Sequence, residues 1–87
     1  QGYWRGIRVE SSSTKNVFNN AIVSNGGSSG FTSTDRISDI QITGILEVNN
    51  SVIKNSLGYG VRVESGGVFV ESNNIYSNNF LGDVYFD

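Results

Sequence analysis

The chain of 87 residues contains no cysteine, no histidine, no proline and no methionine. Without Cys there are no disulfides, no thiolate nucleophile and no Cys/His zinc site. Without His, imidazole acid–base catalysis is excluded. Without Pro, nothing interrupts strand pairing. Without Met, the sequence is expected to be a processed chain, a recombinant segment or a piece of something longer. Charge is sparse: 6 Lys and Arg against 8 Asp and Glu, a formal net charge of −2. That balance lacks the basic footprint of a nucleic-acid binder. No apolar run approaches the roughly 20 residues of a membrane span, which argues against membrane insertion. A chain this short, without disulfides, needs stabilisation beyond an ordinary core.

What is abundant is Gly, with 11 residues, and Asn and Ser are at least as common. These turn formers recur in register. Gly6-Ile7-Arg8-Val9-Glu10-Ser11 returns as Gly60-Val61-Arg62-Val63-Glu64-Ser65. Asn20-Ala21-Ile22-Val23-Ser24-Asn25 matches Asn50-Ser51-Val52-Ile53-Lys54-Asn55, and again Asn73-Asn74-Ile75-Tyr76-Ser77-Asn78. Repeats of this length signal a solenoid. A gap-free alignment starts coils near residues 6, 30, 60 and 83 of one domain spanning 1–87, with an insertion near 34–43.

Within a repeat the apolar period is two, as in Val61-Arg62-Val63-Glu64, so the units are strands and not helices. Each repeat holds three short strands, such as Ile7–Val9, Val17–Phe18 and Ile22–Val23. Three strands and three turns make one circuit, and the next circuit stacks about 4.8 Å above it. The expected fold is all-β: a right-handed parallel β-helix (solenoid) with three short strands per coil and between three and four coils. Three apolar columns are expected. One is Ile7, Phe31, Val61 and Val84. A second is Val9, Ser33, Val63 and Phe86, with Ser33 its weak member. The third is Ile22, Val52 and Ile75, with Ile53 replacing Val52 if a turn is one residue longer. Asn25, Asn55 and Asn78, and likewise Asn20, Asn50 and Asn73, are expected to form structural ladders at the turns. Asn tolerates the left-handed backbone such turns need, and its amide can bond the amide above and below.

The runs Asn73-Asn74-Ile75-Tyr76-Ser77-Asn78-Asn79, Gly58-Tyr59-Gly60-Val61 and Trp4-Arg5-Gly6-Ile7 resemble repeats of the pectin-lyase-like parallel β-helix superfamily. The resemblance spans essentially the whole chain and speaks to fold. That superfamily includes polysaccharide lyases and hydrolases, phage tailspikes, autotransporter passengers and extracellular proteins without known activity, so fold alone selects no function.

Candidate chemistry is thin. Glu10, Glu64 and Asp87 share one outward column, with Thr34 between, and Glu47 and Glu71 sit near another strand end. Glu10 and Glu64 lie two rungs apart, about 9.6 Å, which is marginal for an inverting glycosidase pair. The Arg8 and Arg62 outward column, joined by Thr32 and Tyr85, is a candidate carbohydrate-binding face: Arg8, Arg62, Tyr85. Trp4, Tyr59, Tyr76 and Phe80 are further aromatics not obviously inward. Asp35 and Asp39 fit no calcium-loop spacing, and turn bonding is the ordinary alternative. The sequon Asn49-Asn50-Ser51 sits at the ladder, which argues against modification. No metal, cofactor or catalytic residue is assigned. The expected role is a non-catalytic structural or adhesive segment, extracellular or at a cell surface. Its partners are other copies of itself or flanking coils of a parent chain, with polysaccharide as a candidate ligand. The alternatives are a segment of a carbohydrate-active β-helix enzyme or a carbohydrate-binding module.

Overall fold

The computed structural model describes residues 4–10, 14–29 and 37–87. Ten short strands alternate with turns: β1 (Ile7–Val9), β2 (Asn16–Asn19), β3 (Ile22–Ser24), β4 (Ser38–Ile42), β5 (Ile45–Asn49), β6 (Val52–Lys54), β7 (Tyr59–Val63), β8 (Val68–Ser72), β9 (Ile75–Ser77) and β10 (Gly82–Phe86). Every pairing is parallel, and they build three sheets: β1-β4-β7-β10, β2-β5-β8 and β3-β6-β9. The first strand of each coil lies on the first sheet, the second on the second and the third on the third. The chain is therefore a parallel β-solenoid of three coils, with β10 opening a fourth.

The core is a set of columns enclosed by the three sheets. Val9, Val23, Ile40, Ile42, Leu46, Val48, Ile53, Val61 and Val63 are buried, with Ile7, Phe18, Phe69, Tyr76 and Val84 packed against them. Burying one such aliphatic side chain contributes about 1.5–3 kcal/mol.

The columns correct the sequence expectation in two places. Ile7 pairs with Ile40, and Ile40 with Val61; Val9 pairs with Ile42, and Ile42 with Val63. The second coil thus enters the first sheet at Ser38–Ile42, inside the stretch read as an insertion, and not at Gly30-Phe31. Phe31 and Ser33 themselves lie outside the described residues. The physical reason is the alternation Ile40-Gln41-Ile42, which buries two aliphatics completely where Phe31-Thr32-Ser33 offers one. The extra length falls between β3 and β4.

The second correction concerns the third sheet. Ile22, Val52 and Ile75 do stack in register, but on the outer face, where Ile22 is 69% and Ile75 61% exposed. The inward column is Val23, Ile53 and Tyr76.

Two of the three turns in each coil share one construction. Asn20, Asn50 and Asn73 follow the second-sheet strands, and Asn25, Asn55 and Asn78 follow the third-sheet strands. All six adopt φ between 52° and 64°. Only glycine, and to a lesser degree Asn and Asp, reach this region cheaply.

Candidate functional site

The outer column of the first sheet carries most of the singled-out polar residues: Arg8, Gln41, Arg62 and Tyr85 in register. Gln41 takes the place expected for Thr32, which lies outside the described residues. Beside it run Glu10, Thr43, Glu64 and Asp87. Thr43 donates its N–H to Val9 carbonyl, Glu64 to Ile42 carbonyl and Asp87 to Val63 carbonyl, which fixes that register. Thr43 thus stands where Thr34 was expected, and Thr34 too lies outside the described residues.

These charges serve one another. The Arg62 guanidinium grips Asp87 with two bonds, Nε to Oδ1 at 3.2 Å and Nη2 to Oδ2 at 2.7 Å. Its Nη1 lies 3.7 Å from Glu64 Oε2. Gln41 Nε2 donates to the same Glu64 oxygen. Arg8 Nε lies 4.0 Å from Glu10 Oε2. Planar two-point pairing of this kind is the strongest geometry open to a guanidinium. Arg62 is buried, while Asp87 at the other end of the pair is exposed. The Tyr85 ring lies against Tyr59, centroids 4.9 Å apart and tilted by 30°. The structure thus brings Arg8, Arg62 and Tyr85 onto one face, while committing the Arg62 guanidinium to carboxylates of its own chain.

The other singled-out carboxylates are dispersed. Glu47 faces outward on the second sheet and accepts from Lys15 Nζ at 2.9 Å and from Asn49 Nδ2 at 2.9 Å. The Lys15 hydrogen bond, followed by that from Asn49, holds its carboxyl below the usual range. Glu71 stands in the inward column beneath Phe18 and Val48. There it accepts from the Tyr76 hydroxyl and from Asn74 Nδ2. Burial first, and then this carboxylate, raise the Tyr76 phenol above its ordinary range. Among the described residues no three of His, Cys, Asp and Glu gather as a metal site.

Asp39 is fully buried at the start of β4. Its Oδ1 accepts the Gly26 N–H at 2.7 Å, while Oδ2 has no partner. Burial pushes its carboxyl up to about 6, against a smaller opposing effect of the Gly26 hydrogen bond. Asp35 lies outside the described residues. Of the remaining aromatics, Trp4 donates Nε1–H to Ser24 carbonyl at 2.8 Å, and Phe80 is exposed at the corner between the third and first sheets. In the sequon, Asn49 Nδ2 is occupied by Asn19 Oδ1 at 3.0 Å as well as by Glu47.

The Asn columns bond differently from the expected amide ladder. Their ladder runs through the backbone. Asn20 N–H donates to Asn49 carbonyl, Asn50 to Ser72, Asn25 to Lys54 and Asn55 to Ser77. No side-chain amide of Asn25, Asn55 or Asn78 bonds another; Asn25 Nδ2 turns to Ser24 Oγ. The left-handed backbone points the main chain, and not the side chain, along the stack.

The side-chain bridges lie one residue later, a feature the sequence reading missed. Ala21 N–H donates to Ser51 Oγ and Ser51 N–H to Asn74 Oδ1. Ser56 N–H donates to Asn79 Oδ1, and Gly26 N–H to Asp39 Oδ1. Asn74 Nδ2 and Asn79 Nδ2 complete the circuit on the carbonyls of Val48 and Ile53. The signal was present in the doubled Asn73-Asn74 and Asn78-Asn79, whose second members carry the bridging amides. No family model, no curated protein and no solved structure matches this chain.

Proposed function

We propose that the chain is a non-catalytic structural or adhesive β-solenoid segment of an extracellular or cell-surface protein or assembly, its stack continued by further rungs. The pectin-lyase-like resemblance belongs to this reading. The observation that carries it is the use made of the polar residues. Arg62 is tied to Asp87 and Glu64, Gln41 to Glu64, Lys15 to Glu47, and the turn amides to the next coil. Residues of the kind that would bind or cleave a glycan are spent on joining rungs.

The test is a panel of neutral and acidic polysaccharides offered to the purified chain, with turnover and saturable binding both measured. The reading expects neither. Turnover lost on Glu64→Gln, or binding lost on Tyr85→Ala, would overturn it in favour of an enzyme fragment or a carbohydrate-binding module.

A further inference from the structure

Asp39 is the only fully buried acid among the described residues, and glycine surrounds it. On one side in the first sheet is Gly6, where a Cβ would lie 2.5 Å from the Asp39 carbonyl oxygen. On the other is Gly60, between the partners of Ser38 and Ile40. Across the corner is Gly26, where a Cβ would come within 2.7 Å of Asp39 Oδ1 and 3.1 Å of its Cα. The carboxyl fits here because Gly26 carries no side chain. Oδ1 accepts the Gly26 N–H and Oδ2 accepts nothing. The titratable groups on the elements packed around it are Arg5 and Arg8 at β1, Lys54 at the end of β6, Tyr59 and Arg62 on β7, and Asp83 on β10. None of them bonds Asp39 or shifts its titration.

The side formed by Gly26 is the weakest of the three. β4 is locked within its sheet by parallel pairing to β1 and to β7. Residues 26–29 are held by single bonds instead. Gly26 N–H donates to Asp39, Leu57 N–H to the Gly26 carbonyl at 3.1 Å, Gly27 N–H to the Arg5 carbonyl at 3.2 Å and Ser28 N–H to the Trp4 carbonyl at 2.9 Å. Arg5 Nε adds a bond to Ser29 Oγ at 3.1 Å. The turn gives no side chain to the apolar core, and Ser28 and Ser29 are exposed. Two left-handed residues stand at its start, Asn25 with φ 64° and Gly27 with φ 83°. A segment with so few buried apolar contacts is the kind that opens locally.

We propose that Asp39 and residues 26–29 form a proton-operated clasp. With Asp39 protonated the turn stays seated over the corner; with Asp39 ionised it swings out at Asn25 and Gly27 and water reaches the carboxylate. The clasp concerns one corner between the first two coils and does not depend on the structural reading above. Its sign follows from burial. In the seated state the carboxyl titrates at about 6, against 3.8 in water. The seated state therefore holds the proton more tightly. Its advantage is whole below about pH 4, shrinks as pH rises, and is gone above about 6. Across that span the turn opens about a hundredfold more often. β4 keeps its strand pairing throughout, so the opening leaves the stack of coils intact.

Amide hydrogen exchange from pH 4 to 8, corrected for the intrinsic rate at each pH, tests this. Protection at Gly26, Gly27, Ser28 and Leu57 should fall about a hundredfold between pH 4 and 6 and level off above. Low concentrations of urea should leave these four amides unchanged, because a local opening exposes little surface. Ile53 and Val61, in the core, should follow urea as global unfolding does. Asp39→Asn keeps an acceptor for Gly26 and removes the charge, so its four amides should hold level protection across the whole range. If the four amides share the urea dependence of Ile53 and Val61, the clasp is overturned and Asp39 acts only on the molecule as a whole. If Asp39→Asn keeps the pH profile of the parent, the role of Asp39 is overturned.

Discussion

Replacing Asp39 by Asn should make the protein more stable at neutral pH, and by an amount the structure sets. Asp39 is enclosed, one oxygen is bonded to Gly26 N–H, and the other has no partner. Burial disfavours the charged carboxylate and moves it from near 3.8 to about 6. Each tenfold in proton affinity corresponds to about 1.4 kcal/mol. Ionising Asp39 within the fold therefore costs about 3 kcal/mol more than ionising it in the open chain. The sign follows from the raised value. Between the two values the folded state holds the proton more tightly, so the contribution of Asp39 is intact below about pH 4. It is lost as pH rises through about 6. Asp39→Asn keeps the Oδ1 acceptor for Gly26 and removes the charge. Its new amide N–H sits where no acceptor is available, which costs about 1 kcal/mol. The variant should thus exceed the parent by about 1–3 kcal/mol at pH 8 and lose that advantage at pH 4. Urea denaturation followed by far-ultraviolet circular dichroism from pH 4 to 8 measures both. The other carboxylates titrate equally in the two proteins and cancel in the difference. Parallel pH profiles for parent and variant would refute the argument.

Four further outcomes follow from the columns and turns. Asn55→Gly should be nearly neutral and Asn55→Ala should cost about 1–2 kcal/mol, because only the second forces a Cβ-bearing residue lacking a polar side chain into the left-handed region; thermal melts of the pair check this. Ile53→Ala should cost about 2–5 kcal/mol, whereas Ile75→Thr, on the outer face, should stay within about 0.5 kcal/mol, as denaturant midpoints will show. Gly58→Ala should prevent folding, since its Cβ would land on the Ile37 carbonyl oxygen; loss of the β signature in circular dichroism is the readout. Asp87→Asn should cost about 0.5–1 kcal/mol by weakening the partly exposed two-point pair with Arg62, with the deficit shrinking at high salt.

How much of this was legible beforehand depends on whether a residue's neighbours in sequence compete for its place. The strand period and all six left-handed Asn positions were readable, because each is set locally by alternation or by turn chemistry. Ile22 and Val23, or Val52 and Ile53, are both apolar, so a period of two cannot decide which one faces inward. The choice falls to the left-handed turns on either side, which set the pleat. The second coil was placed at Phe31 because a glycine–apolar pair aligned without gaps. Ile40 and Ile42 fill the core better than Phe31 and Ser33, and that comparison needs three dimensions. The face bearing Arg8, Arg62 and Tyr85 was foreseen as a face. Its internal neutralisation was not, because the decisive contact joins Arg62 to Asp87 across 25 positions of sequence. Asp39 was read as a loop residue, and nothing in a run of Ser, Asp and Ile announces a buried acid.

The turn construction also governs how the molecule ages chemically. An asparagine is lost when the nitrogen of the following residue sheds its proton and attacks the side-chain carbonyl, closing a ring that opens to aspartate or isoaspartate. Asn25-Gly26 is the sequence in which that attack meets least steric resistance. In the fold the Gly26 nitrogen is held by Asp39 at 2.7 Å, and the nitrogens after Asn50 and Asn55 are held by Asn74 and Asn79. A proton engaged by an oxygen is harder to remove, and a nitrogen so anchored cannot swing toward the side-chain carbonyl it would attack. The pairing easiest to degrade in a free peptide is thus among the best preserved in the fold.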